Sequence, residues 1–263
     1  MGPGQLAFAS DRLGQFEIFV MNANGTGVQR LTDHLAFDFW PSWSPDGTRI
    51  AFTSDRDVNQ EIYVMNADGT GLVRVTSDPA LDDEPAWGGG PTGTRLAFRS
   101  DRDGNDEIYV VNVDGSGLVR LTTDPASDVQ PAWRPDGGKI AFVTDRDGDP
   151  EIYVMNPDGT GLVNLSANPA SDLGPAWSPD GTRLAFHSSR DGGFAIYVMN
   201  PDGSGVVRLT DGTTPDELPA WSPDGTRIAF DSNGEISVMR ADGTGLAQVT
   251  HTVAGDYGPR WRP

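Results

Sequence analysis

Six aspartates share one phase of this chain of 263 residues. Asp38, Asp82, Asp128, Asp172, Asp216 and Asp256 each stand five residues before a tryptophan: Trp43, Trp87, Trp133, Trp177, Trp221 and Trp261. Gathered near one mouth of a ring, carboxylates about 10 Å apart at an effective dielectric near 20 repel by roughly 1–2 kcal/mol per adjacent pair. Hydrogen bonds, partial protonation or a bound cation would offset that. With 0 Cys and only 3 His in the chain, an all-oxygen ligand set suits Ca2+ rather than Zn2+. The competing reading is that each Asp caps the loop before its own strand. A second group, S-D-R, recurs at Asp11-Arg12, Asp55-Arg56 and Asp101-Arg102, with Asp145-Arg146 after a Thr; Glu17, Glu61, Glu107 and Glu151 open the segments that follow. Hairpin geometry with Arg–carboxylate ladders between blades accounts for these. A third group is asymmetric. His34, Phe37, Phe39 and Trp40 precede Trp43, while His251 and Tyr257 precede Trp261, so the six could meet in one sector and stack on a peptide or sugar.

The elements that must position these residues follow from repetition. The six Trp lie at intervals of 44, 46, 44, 44 and 40 residues, inside P-A-W-S-P-D-G-T-R-I-A-F and its variants. A second landmark, I-Y-V-M-N-x-D-G-T-G, keeps the same phase. Each repeat reads as four short strands: P-A-W, R-I-A-F-T-S, E-I-Y-V-M-N and L-V-R-V-T, rich in aromatic and β-branched residues and punctuated by Asp-Gly turns. Four antiparallel strands per ~44 residues is a propeller period. The chain opens at Gln5-Leu6-Ala7-Phe8, a second strand, and closes at Pro259-Arg260-Trp261, a first strand. Pairing the two ends completes a blade. The expected fold is all-β: a closed six-bladed β-propeller forming a single domain over residues 1–263. The six Trp are core anchors, and His187 is a packed or inter-blade hydrogen-bonded residue. The S-P-D-G-T and N-x-D-G-T-G turns are nearly identical in every blade and lie on one face. Variable sequence gathers on the other, where function is expected.

S-P-D-G-T-R-I-A-F-T-S-D-R, then E-I-Y-V-M-N-A-D-G-T-G and V-R-V-T, resembles the repeat of the TolB-type propellers, and the likeness runs through essentially the whole chain. The resemblance implies a calcium-bearing channel, protein or peptide partners and an extracytoplasmic (periplasmic or extracellular) location. It does not extend to the separate N-terminal domain that accompanies TolB's propeller. Related repeats occur in prolyl-peptidase-like enzymes and in a lyase acting on oligogalacturonate.

Composition narrows the function. The 38 acidic against 19 basic side chains leave a formal charge of −19, which disfavours nucleic acid. No apolar run approaches a membrane span, and Met1-Gly2-Pro3-Gly4 carries no signal peptide. There is no G-x-S-x-G, no H-E-x-x-H and no phosphate loop. The expected function is a non-enzymatic, monomeric binding propeller with Ca2+ at the Asp ring and a protein, peptide or glycan on the same face. The alternatives are a polysaccharide-active lyase- or hydrolase-like propeller, or an engineered or structural repeat scaffold without ligand.

Overall fold

A computed structural model describes residues 4–263, the side chain of Pro91 excepted; Met1–Pro3 of the leading segment lie outside the described residues. In chain order the strands are β1 (Gln5–Ser10), β2 (Glu17–Asn22) and β3 (Gln29–Arg30), then β4 (Asp38–Trp43), β5 (Arg49–Ser54), β6 (Glu61–Asn66) and β7 (Val73–Arg74). Next come β8 (Asp82–Gly88), β9 (Arg95–Ser100), β10 (Glu107–Asn112) and β11 (Val119–Arg120). They are followed by β12 (Asp128–Trp133), β13 (Ile140–Thr144), β14 (Glu151–Met155) and β15 (Val163–Asn164). The fifth set is β16 (Asp172–Trp177), β17 (Leu184–Ser188), β18 (Ala195–Met199) and β19 (Val207–Arg208). The last strands are β20 (Asp216–Trp221), β21 (Arg227–Ser232), β22 (Glu235–Arg240), β23 (Ala247–Gln248) and β24 (Asp256–Trp261).

They form six antiparallel four-stranded sheets arranged as the blades of a ring. Blade one is β24-β1-β2-β3, so the end of the chain supplies its inner strand, with Leu6 opposite Trp261 and Ser10 opposite Asp256. The other five blades follow in chain order.

Alternation along the middle strands builds the core. In β5 and β6, Ile50, Phe52, Tyr63 and Met65 face blade one, where they meet Ala7, Ile18 and Val20 under Trp43. The intervening Ala51, Ile62 and Val64 face blade three and meet Leu96, Phe98 and Tyr109 under Trp87. Both faces of each blade are therefore buried, one large and one small, and six such cores run around the ring. The repeated Trp are all less than a tenth exposed, as expected of core anchors.

Two elements differ from the sequence expectation. The outermost strand was expected to span L-V-R-V-T but holds only two ladder residues, Val73–Arg74 in β7, because Arg74 and Thr76 turn back to Glu61 instead. The innermost strand, read as P-A-W, is longer and starts at the repeated Asp. It breaks register in every blade. The residue at the break takes a left-handed conformation: Trp40 (φ 53°), Glu84 (56°), Gln130 (52°), Gly174 (62°), Leu218 (53°) and Gly258 (60°). This bulge, followed each time by a Pro that needs no ladder partner on the inner edge, turns five of the six into the central channel.

Candidate functional site

The loops before each inner strand and those joining second to third strands share one face of the ring, called here the loop face. Each Asp of the predicted metal ring sits at its rim and is at least 96% buried. Arg56 Nη2 donates to both carboxylate oxygens of Asp38 at 3.0 Å, its Nε donates to Ser54, and its guanidinium lies 4.8 Å from the Tyr63 ring centre. The same clamp joins Arg102 to Asp82, Arg146 to Asp128, Arg190 to Asp172 and Arg12 to Asp256. Burial pushes the carboxyls of Asp38, Asp82 and Asp128 up, opposed by the Ser or Thr hydroxyls and the Arg.

The S-D-R arginine thus supplies the charge that offsets each aspartate. Its Asp carboxylate holds the neighbouring loop, as Asp55 does by accepting from the Phe37 amide at 2.8 Å. The ladders run within blades, not between them as expected: Arg74 reaches Glu61 and Arg30 reaches Glu17, each on its own sheet. Nor do the six carboxylates assemble a Ca2+ cage. Five are engaged by guanidinium, none lines the channel cavity, and no three His, Asp or Glu groups among the described residues stand close enough to share a metal.

Blade six lacks the clamp. Its second and third strands turn through Asn233 and Gly234 alone, both at positive φ, so there is no Arg, and Ser237 replaces the Tyr. Asp216 accepts from Ser232 Oγ at 2.6 Å instead. Asp231, 5% exposed, is pushed up to about 7 by burial and then by Glu217, Asp216 and Asp256. Glu217 is raised as well, by burial and by Asp216.

Beside this acidic sector lies the aromatic one. Phe39 packs on Phe37 (6.0 Å between ring centres) and on Phe16 (4.6 Å), and Phe16 reaches Tyr257 at 5.7 Å. Phe37, Phe39 and Tyr257 therefore converge across blades one and two, while three of the other predicted members do not join them. Trp40 turns into the channel. His34 Nδ1 accepts from the Ala36 amide at 3.1 Å, the turn bond that Asp78 and Asp124 make to Ala80 and Ala126, so it replaces a loop carboxylate. His251 is exposed and enters none of the ring contacts.

The sequence reading missed five members of this patch. Phe16 completes the cluster, Leu13, Leu35 and Val253 are exposed on the loops that carry or lead into its aromatics, and Val58 is exposed on the second-to-third-strand loop of blade two. A signal existed for Val58. It stands at φ 94° and 99% exposed where the other long second-to-third-strand loops place Gly14, Gly104, Gly148 and Gly192. The remaining exposed large apolar side chains, such as Val73, Val119 and Val163, lie on or beside the outermost strands.

His187 is no base. It is 3% exposed, burial pulls it down to about 3, and its Nδ1 accepts from the Leu218 amide of the next blade at 3.3 Å.

The TolB beta propeller domain family matches residues 2–89, 79–172 and 163–263. The chain belongs to that family. Among solved structures, TolB from Acinetobacter baumannii is 23% identical, with 99% of this chain and 67% of that one covered and a TM-score of 0.89. A putative TolB from Agrobacterium tumefaciens is 22% identical over 100% of this chain and 99% of that one, with a TM-score of 0.78. An oligogalacturonate lyase in complex with manganese is 16% identical over 95% of this chain and 74% of that one, with a TM-score of 0.67. Likeness at these identities speaks for the fold alone. No curated protein matches the chain significantly. Among the described residues no helix is long and apolar enough to cross a membrane.

Proposed function

We propose that this TolB-type propeller is a non-enzymatic binding module that takes a protein or peptide partner on its loop face over blades one and two, in an extracytoplasmic compartment. One observation carries the reading: Leu13, Leu35, Phe37, Val58, Val253 and Tyr257 are all exposed on the loop face of those two blades, while the equivalent positions elsewhere carry polar residues, Gly or Pro, or apolar side chains that are partly buried, as Leu81, Val129 and Leu173 are. Apolar patches of this kind mark interaction surfaces. The surrounding charge of −19 and the unclamped carboxylates of blade six favour a partner with Lys or Arg flanking its apolar contact. The Ca2+ expected at the Asp ring is left out of this reading, because arginines occupy five of those six carboxylates.

Peptides selected from a displayed random library against the whole protein test it. Binders should pair aromatic or aliphatic residues with Lys or Arg. Their affinity should fall at least about tenfold in a Phe37→Ser, Val58→Gly double variant and be unchanged by Pro135→Ala on the opposite face. Binders that ignore the double variant but lose affinity in Pro135→Ala, or no binders at all, would overturn the assignment.

A further inference from the structure

The channel between the inner strands holds a feature that partner binding on the loop face does not use. The residue before each Trp is small in five blades, Ser42, Ala86, Ala132, Ala176 and Ala220, and is Arg260 in blade one. Among the described residues, Arg260 and Glu84 are the only charged ones lining a channel cavity of about 220 Å3, with Trp40 on the blade between them. Glu84 acts on Arg260 through its charge but makes no ion pair with it: its Oε2 accepts from the Gln130 amide at 2.7 Å, and Gln130 Oε1 in turn accepts from the Gly174 amide at 2.8 Å. Burial, then the charge of Asp83, pushes Glu84 up to about 7. The Arg260 guanidinium donates one hydrogen bond, from Nη1 to the carbonyl of its neighbour Pro259 at 3.0 Å. Among the described residues no carboxylate pairs with it, although acids outnumber bases two to one and five arginines of the loop face are clamped on buried Asp. Burial lowers Arg260 to about 10, so it stays charged at neutral pH.

The Arg260 side chain is partly buried at the cavity wall, and most of its donors have no partner in the protein and are open to an acceptor inside the channel. We propose that the channel cavity is a binding site for a small organic monocarboxylate, its carboxylate held by Arg260 and its body lying against the Trp40 indole and the proline and alanine walls. The planar fork of Arg suits a carboxylate bidentately. The volume admits a ligand smaller than a typical drug and excludes a folded partner.

Titration of the full chain with benzoate, and with neutral benzamide as its isostere, tests the site by calorimetry and thermal shift. Benzoate should bind one to one and raise the melting temperature, and benzamide should do neither. Arg260→Ala, which installs the residue four other blades carry, should weaken benzoate roughly tenfold to a hundredfold. Arg260→Lys, which keeps the charge without the fork, should weaken it about tenfold and serves if the Ala variant fails to fold. Absence of benzoate binding, equal binding of benzamide, or affinity unchanged in both Arg260 variants would overturn the proposal. Neither variant touches the patch that includes Phe37 and Val58, so this result is separate from that of the peptide selection.

Discussion

Val58 is a β-branched residue in a backbone conformation that the other long loops at this position assign to glycine. Such strain costs about 1–3 kcal/mol and persists where it serves function. Val58→Gly should therefore raise the stability measured by urea unfolding by about 1 kcal/mol while weakening any loop-face partner; a variant that is both less stable and fully competent would refute the role. The Arg–Asp clamps have the opposite logic. Arg102→Leu strands the buried Asp82 carboxylate and should cost about 3–5 kcal/mol. Asp231 sets a pH dependence. Its folded-state value of about 7 lies above the ordinary 3.8, so the folded state holds a proton that the unfolded chain releases. The stability it contributes is complete below about pH 4 and lost as pH rises toward 7. Asp231→Asn should accordingly gain about 4 kcal/mol over the parent at pH 8 and almost nothing at pH 4, by denaturant melts at both.

At the scale of the strand, the bulge decides what lines the channel. Gly174 and Gly258 occupy it in two blades, and a Cβ on Gly174 would meet His187 Nδ1 at 2.8 Å, whereas on Gly258 the nearest atom is Trp40 Cε3 at 3.8 Å. Gly174→Ala should thus destabilise more than Gly258→Ala, by about 1 kcal/mol or more in thermal unfolding; equal losses would argue against this packing. The strands, their alternation and the ring closure were legible because period-two burial and turn glycines are local signals. The bulge was not, since four blades place Trp40, Glu84, Gln130 and Leu218 in a conformation their side chains do not announce. That hidden residue misdirected the site reading. It swings Trp40 away from Phe39, and only its register reveals that Asp38, Asp82, Asp128 and Asp172 each meet the Arg 18 or 20 positions later in their own blade, while Asp256 meets Arg12 across the closure. The exposed patch was half legible: aromatic excess flagged Phe37, Phe39 and Tyr257, but Leu13 and Val253 are unremarkable until the loops are seen side by side.

For the whole molecule, closure depends on β24, which brings Trp261 over Phe8 and Phe19 and Asp256 to Arg12. Deleting residues 256–263 should leave the edge of β1 open and convert the monomer expected from the sequence into aggregates or higher oligomers on size-exclusion chromatography; a soluble folded monomer would contradict this. The same closure fixes an order of events during translation. Blade one opens with β1 and cannot be finished until β24, at the far end of the propeller, has been made, a wait of roughly 10–50 s at ordinary elongation rates. Throughout that interval the nascent chain carries a β1 edge with no neighbour, so every ribosome making this protein holds a sticky strand that a chaperone, or simple spacing along the message, must keep from its twins.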